Sequence, residues 1–350
     1  MTFEYIDVAE RSPAWYERRR RGITASEIAA VLGLSPWCSP FTLHMRKTGA
    51  VDDQPDNERL AIGRDMEDVV LRQFARRHPE LTITKGGLYR STARTWQLAT
   101  PDALAYEKPA ESDYDPLNLS VPAVPADPHY NAPIAVVQAK TAATHHEWGD
   151  EGTDEIPVQY RCQVLWEMDV MGVGVAYVPV IFGNAKYAEY VVEYSVTDID
   201  IMRRRAAQFL ARLADGEPPP VDWATSTTDT LKKLHPDLED TEVEVPERSV
   251  NAYHVFLALE KFAERRKRQA ENEIRAALGS AARGTVDGLK VLTRSKYERW
   301  TVKSSSLKKD DPALWERHAV PAVVDRLTYL KEKHARPNGL SGRSPEGNRA

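Results

Sequence analysis

The 350-residue chain has only two cysteines, Cys38 and Cys162. Two thiols cannot build a disulfide framework, a four-cysteine zinc site or a four-cysteine iron–sulfur cluster. No stretch approaches the ~20 consecutive apolar residues that a membrane-spanning helix needs. The run from Met1 to Arg21 lacks an apolar h-region and a small-residue cleavage site, which argues against a secretory signal. Neither sign of charge dominates: 47 Lys+Arg stand against 52 Asp+Glu, for a formal charge of −5. A nucleic-acid contact would therefore have to rest on local charge. With 42% apolar and 28% charged residues, and a length worth about two domains of roughly 150 residues, the sequence describes a cytosolic globular protein with a sizeable core.

Residues 1–215 read as one α/β unit. After the arginines at 18–21, Thr24-Ala25-Ser26-Glu27 opens a helix that runs to about Leu34, with Thr24 at the N-cap and Glu27 at N3 of a capping box. A second helix is expected over 58–78. Strands follow near 81–90, 95–106 and 134–141. Six prolines between 109 and 133 mark a long loop laid over the surface. A largely apolar helix at about 157–171, strands near 175–183 and 187–196, and a helix at 198–214 complete a mixed sheet flanked by helices. Asp215-Gly216-Glu217-Pro218-Pro219-Pro220 marks a boundary, and 216–247 reads as a connector. Residues 248–334 read as a charged helix (249–278), a hairpin (285–303) and a short helix (311–319), with a disordered Gly/Pro/Ser/Asn-rich tail over 335–350. The basic run at 265–268 reads as a solvated face.

Three positions carry residues that packing alone does not call for. On the 58–78 helix, Gly63, Val70, Leu71 and Phe74 lie within about 60° of Glu67, which centres a carboxylate on an apolar stripe. Such a group must be paired, protonated or bound to a cation. Thr100-Pro101-Asp102 puts a second acid at a strand kink. The apolar strand from Ile134 ends in Gln138-Ala139-Lys140, and alternation puts Gln138 and Lys140 on one face. Two acids, an amide and a lysine make an oxygen-rich site for Mg²⁺ and a lysine to serve the attacking water in phosphodiester hydrolysis. His145-His146-Glu147 lacks the i,i+4 spacing of a helical zinc motif and reads as polar loop.

Pro101-Asp102 followed by Gln138-Ala139-Lys140, with Gly63 and Glu67 upstream, resembles the signature of the PD-(D/E)XK nucleases in their lambda-exonuclease/YqaJ-like viral recombinase branch. Trp15 to Arg19, Gly22-Ile23-Thr24-Ala25-Ser26-Glu27 and Val31-Leu32-Gly33-Leu34-Ser35-Pro36 resemble that family's N-terminal segment. Pro157 to Gln163 running into Glu167 to Gly172 resembles its helix with a functional glutamine. The five motifs occur in the family's order over about 12–215.

The resemblance implies an α/β (α+β mixed-sheet) restriction-endonuclease-like core with a C-terminal helix-plus-hairpin extension. It implies a Mg²⁺-dependent exonuclease, with Mn²⁺ as a possible substitute, that degrades one strand of linear double-stranded DNA 5′→3′. The 3′ overhang left behind would pass to a single-strand annealing protein. The enzyme would be a ring-shaped homo-oligomer, trimer or tetramer, in the cytoplasm of a bacterial host and encoded by a phage or prophage. Glu67, Asp102, Gln138 and the Ala139 carbonyl would hold metal, and Lys140 would serve the water. Arg19, Ser26, Thr100 and Gln163, with Gln159 as the back-up, would surround the 5′ phosphate. The family's usual acid is Gln138 in this chain, so the site is one negative charge poorer and two-metal occupancy is expected to be weaker. An endonuclease of the same fold, or a degenerate DNA-end-binding scaffold, remains as an alternative.

Overall fold

The computed structural model describes residues 2–53, 57–108, 117–122 (backbone only), 132–299, 301 and 303–320. Two compact units are distinguished, Met1–Asp237 and Leu238–Ala350. The first begins with β1 (Phe3–Tyr5), α1 (Pro13–Arg20), β2 (Ile23–Thr24), α2 (Ala25–Val31), α3 (Pro40–Lys47) and α4 (Glu58–Arg77). Then come β3 (Leu81–Lys85), β4 (Tyr89–Ser91), β5 (Gln97–Ala99), β6 (Ala103–Glu107), β7 (Leu117–Pro122), β8 (Ala135–Val137) and β9 (Lys140–Ala142). It ends with α5 (Val158–Met171), β10 (Val175–Phe182), β11 (Tyr187–Glu193), α6 (Val196–Asp215) and α7 (Thr225–Leu234).

The larger sheet has the order β11-β10-β8-β6-β3-β7, with β9 also on β10, and contains both parallel and antiparallel pairs. A smaller sheet has the order β1-β4-β5-β2. Alternation along the strands divides the core between two faces. Ala103, Ala105, Ala135, Val137 and Ala139 pack with Val70, Leu71 and Phe74 of α4. Leu104, Val136 and Val178 pack with the buried faces of α2, α5 and α6. The fold is thus a mixed α/β sandwich around a mixed sheet.

The runs expected as single strands over 81–90 and 95–106 each divide between the two sheets. β3 and β6 belong to the larger, β4 and β5 to the smaller, and the chain crosses at Gly86 in one run and at Pro101 in the other. Proline has no N–H for a ladder, and Gly86 donates its own N–H to the Asp102 carbonyl at 3.0 Å. A Cβ at Gly86 would lie 1.7 Å from the Pro101 carbonyl oxygen, so the two crossings meet only because this residue has no side chain. Gly86→Ala is expected to cost about 1–3 kcal/mol or more by overpacking against backbone, read as a lowered urea midpoint.

Three helices of the first unit, α1, α3 and α7, were not anticipated from the sequence. α3 starts at Ser39, whose hydroxyl accepts the Thr42 N–H, with Pro40 at the first helical position. α7 lies inside the expected connector and docks on α3 through buried hydroxyls, Ser39 to Thr227 at 2.7 Å and Thr42 to Thr230 at 2.9 Å. The proline-rich insert contributes edge strand β7, parallel to β3, and its remaining residues 109–116 and 123–131 lie outside the described ones.

The second unit comprises α8 (Glu247–Leu278), a hairpin of β12 (Arg283–Val286) and β13 (Leu289–Thr293), α9 (Ser304–Asp310) and α10 (Pro312–His318). Asp287 and Gly288, with φ of 49° and 80°, make the hairpin turn. The expected tail at 335–350 lies outside the described residues.

Candidate active site

The strand expected at 134–141 forms as β8 and β9, both parallel to β10 and in one continuous register: Val137 faces Tyr177 and Lys140 faces Val180. Between them the Gln138 N–H still donates to the Tyr177 carbonyl at 2.9 Å. On its other side the ladder with β6 ends at the pair Ala103–Val137. Residues 138–140 therefore run past the end of β6, and the Pro101-Asp102 segment arrives beside them. Gln138 and Asp102 clasp each other: the Gln138 amide donates to Asp102 Oδ2 at 2.7 Å, and Gln138 Oε1 accepts the Asp102 N–H at 3.3 Å. The Ala139 N–H adds a further bond to the Asp102 carboxyl.

Glu67 comes from α4. It lines a cleft of about 490 Å³ together with Gly63, Asp102, Ala139, Lys140 and Tyr160. Burial first, then the neighbouring Asp102 charge, push the Glu67 carboxyl well above the usual carboxylate range, while Lys140 pulls the other way. Burial raises the Asp102 carboxyl too, against the pull of Lys140 and the bonds from Gln138 and Ala139. Two buried acids held above the ordinary carboxylate range are short of positive charge. Among the described residues no three His, Cys, Asp or Glu side chains form a group able to hold a metal ion. A cation here would draw on the two carboxylates, the Gln138 side-chain oxygen and the Ala139 carbonyl, with water and substrate completing its shell. That hard-oxygen donor set fits Mg²⁺. Lys140 holds its ammonium 5.1 Å from the centre of the Tyr160 ring.

A second cleft, of about 410 Å³, is lined by Trp15, Arg19, Ser26 and Lys47, and it shares Trp37, Leu60 and Arg64 with the first. Arg19 sits on the Trp15 ring, 4.2 Å from its centre. Its guanidinium donates to three neutral hydroxyls: Ser26 at 3.0 Å, Thr24 at 3.3 Å and Thr100 at 3.3 Å. Burial pulls it below its usual pKa, with Glu27 opposing. A guanidinium partnered by hydroxyls beside a helix N-terminus is arranged for an anion.

Beneath this cradle Lys47, 2% exposed, pairs with Glu27 at 3.0 Å and donates to the carbonyls of Gly22 at 2.7 Å and Arg19 at 3.2 Å. Glu27 also accepts the Thr24 N–H at 2.9 Å, as its place in the capping box requires. Burial pushes the Glu27 carboxyl up, but Lys47, Arg19 and the Thr24 N–H outweigh it and hold the group below the usual range.

The remaining expected contacts lie on α5. Gln163 donates to Glu167 Oε1 at 3.0 Å. Gln159 is half-buried one turn earlier, and neither glutamine lines either cleft. His145 stacks on Phe182, with ring centres 3.7 Å apart. Sequence reasoning missed Lys47, which nothing local distinguishes, and Glu167. The signal for Glu167 was present: an acid inside an apolar helix, the same feature that singled out Glu67.

Residues 14–174 match the YqaJ-like viral recombinase domain. The protein YqaJ of Bacillus subtilis (strain 168) is 23% identical over 313 residues, covering 87% of this chain and 89% of YqaJ. Among solved structures, the alkaline exonuclease LHK-Exo of Laribacter hongkongensis aligns with 16% identity and a TM-score of 0.43, over 59% of this chain and 94% of that one. A phage-related exonuclease of Haemophilus somnus 129PT aligns with 8% identity and a TM-score of 0.38, over 56% of this chain and 96% of that one. The family motifs read from the sequence, from Trp15 to Gly172, lie within the segment that matches the YqaJ-like viral recombinase domain.

Proposed function

We propose that the protein is a Mg²⁺-dependent deoxyribonuclease that degrades one strand of linear duplex DNA from a 5′-phosphorylated end. The observation that carries this is the junction of two clefts. One holds Glu67, Asp102 and Lys140, the other holds Arg19 and Ser26, and Trp37, Leu60 and Arg64 line both. A chain end gripped at Arg19 reaches the acids without leaving the surface. The viral recombinase family supports the further reading that the product is a 3′ overhang for a strand-annealing partner, made by a ring of subunits in the host cytoplasm.

Mg²⁺ held by Glu67, Asp102, Gln138 and the Ala139 carbonyl would supply charge stabilisation on the scissile phosphate and a more acidic water. Lys140 would donate a hydrogen bond that orients the attacking water. Gln138 keeps Asp102 aimed into the cleft through the two bonds already formed. Arg19, Ser26 and Thr100 hold the terminal phosphate; Gln163, bonded to Glu167, and Gln159 lie outside the lining of both clefts.

A time course on linear and closed circular duplex, with 5′-phosphate or 5′-hydroxyl ends and with Mg²⁺ or EDTA, tests the proposal. Digestion of the phosphorylated linear form in Mg²⁺ alone is expected. Cutting of the circle would favour an endonuclease, and end binding without digestion would favour a scaffold. Arg19→Ala removes charge-assisted bonds worth about 1.5–3 kcal/mol. It is expected to slow 5′-phosphate substrates by about 10–100-fold and leave 5′-hydroxyl substrates nearly unchanged, read as initial rates on matched ends.

A further inference from the structure

A strand held at Arg19 and cut beside Glu67 has to pass Trp37, Leu60 and Arg64, the residues common to the two clefts. Of these three, Arg64 alone carries a charge. Arg59 and Lys140 line the first cleft only, and Arg19 and its basic neighbours line the second only. Every nucleotide brings a negative phosphate with it, so the crossing from one cleft to the other needs a cation at the junction itself.

Helix α4 supplies that cation in register with the acid. At about 3.6 residues per turn, Leu60, Gly63, Arg64 and Glu67 share one face of the helix. Arg64 thus stands between the junction residue Leu60 and the carboxyl of Glu67. Leu60 is 44% exposed, and a Cβ added at Gly63 would meet nothing within 4 Å, so this face has room for a ligand. An arginine three positions before a glutamate can serve its own helix through a local ion pair. Arg64 reaches further: it lines the second cleft, in which Glu67 has no part. Its planar fork of donors matches two oxygens of one phosphate.

We infer that Arg64 binds the first internucleotide phosphate behind the held 5′ end and aims it from the end-binding cleft toward the acids. The inference rests on the deoxyribonuclease reading above and deepens it: Arg19 reads the terminal phosphate, and Arg64 reads the linkage that follows.

The test is a cycle between protein and DNA. Affinity of the full chain for duplex ends is measured by fluorescence anisotropy in EDTA at one salt concentration. The 5′-ended strand carries either a phosphodiester or an uncharged methylphosphonate at its first linkage. Arg64→Ala is expected to weaken binding of the phosphodiester end about 10–100-fold, and of the methylphosphonate end by less than about twofold. Arg64→Lys is expected to recover part of the loss, because an ammonium keeps the charge but not the fork. The preference for 5′-phosphate over 5′-hydroxyl ends is expected to persist in Arg64→Ala. Arg19→Ala is expected to do the reverse, losing that preference and keeping the methylphosphonate penalty. A residue needed only by α4 would weaken both linkages alike, and that outcome overturns the inference, as does loss of the 5′-phosphate preference in Arg64→Ala. A wild-type protein with no affinity for duplex ends, or an Arg19→Ala variant that keeps the 5′-phosphate preference, overturns instead the reading on which the inference rests.

Discussion

Asp102→Ala is expected to lower digestion of linear duplex by about 10³-fold or more while the protein stays folded. The magnitude follows from the proposed role of Asp102 as a cation ligand, whose removal would forfeit several kcal/mol of transition-state stabilisation, and about 4 kcal/mol is a factor near 10³. The persistence of the fold follows from the same geometry. Burial disfavours the Asp102 charge, so an apolar residue relieves that desolvation. The cost falls on the buried Gln138 amide, which loses its 2.7 Å acceptor, and on the Ala139 N–H, at about 1–3 kcal/mol for each unsatisfied group. Lys140→Ala is expected to lose about 10²-fold or more, the usual cost of removing one aimed hydrogen-bond donor. Rates on 5′-phosphorylated duplex beside a circular dichroism melt decide it: substantial activity in either variant removes these residues from the chemistry.

Lys47→Met should give the largest loss of stability, about 3–5 kcal/mol, the usual penalty for leaving one member of a buried ion pair behind. Three groups lose their partner at once: the Glu27 carboxylate and the carbonyls of Gly22 and Arg19. The pH dependence identifies the cause. In the wild type Glu27 is held below its ordinary value, so its contribution is present above the unfolded-state pKa of roughly 4.3 and fades as pH falls through the lower folded value. Without Lys47 the carboxyl titrates higher than in the wild type, with Arg19 and the Thr24 N–H alone left to oppose burial, so the variant's deficit should be greatest near neutrality and shrink as pH drops toward about 4. Urea midpoints across pH 4–8, a range of about four units around that value, measure this. A deficit independent of pH would assign the loss to the two carbonyls instead.

Much of the candidate site was legible because it breaks local rules. Glu67 on an apolar stripe, an acid behind Pro101 and a polar ending to the Ile134 strand each contradict simple packing, and the fold brings Glu67, Asp102 and Lys140 to one cleft. The capping residues at Thr24 and Glu27 likewise marked the helix beside Arg19. Sheet membership was not legible. Nothing within 81–90 or 95–106 announces that each run serves two sheets, since the change of partner is set by the approach of Gly86 to Pro101 from a distant part of the chain. Lys47 was hidden for a similar reason: its partners sit 20 or more positions upstream, and a lysine at a helix end ordinarily reads as solvated. The docking of α7 rests on paired hydroxyls, which hydrophobic periodicity does not register.

The meeting of Gly86 with Pro101 has a mechanical consequence. Thr24 and Thr100, which hold Arg19, ride on or beside the smaller sheet, whereas Asp102 opens a strand of the larger one. The two direct strand-to-strand crossings, β3 to β4 and β5 to β6, touch at that joint, one residue from Asp102, while the passage from β2 to β3 runs through α2, α3 and α4. If Arg19 grips the strand and Asp102 serves its cleavage, as proposed, the stiffness of that joint would help set the interval between where a strand is held and where it is severed.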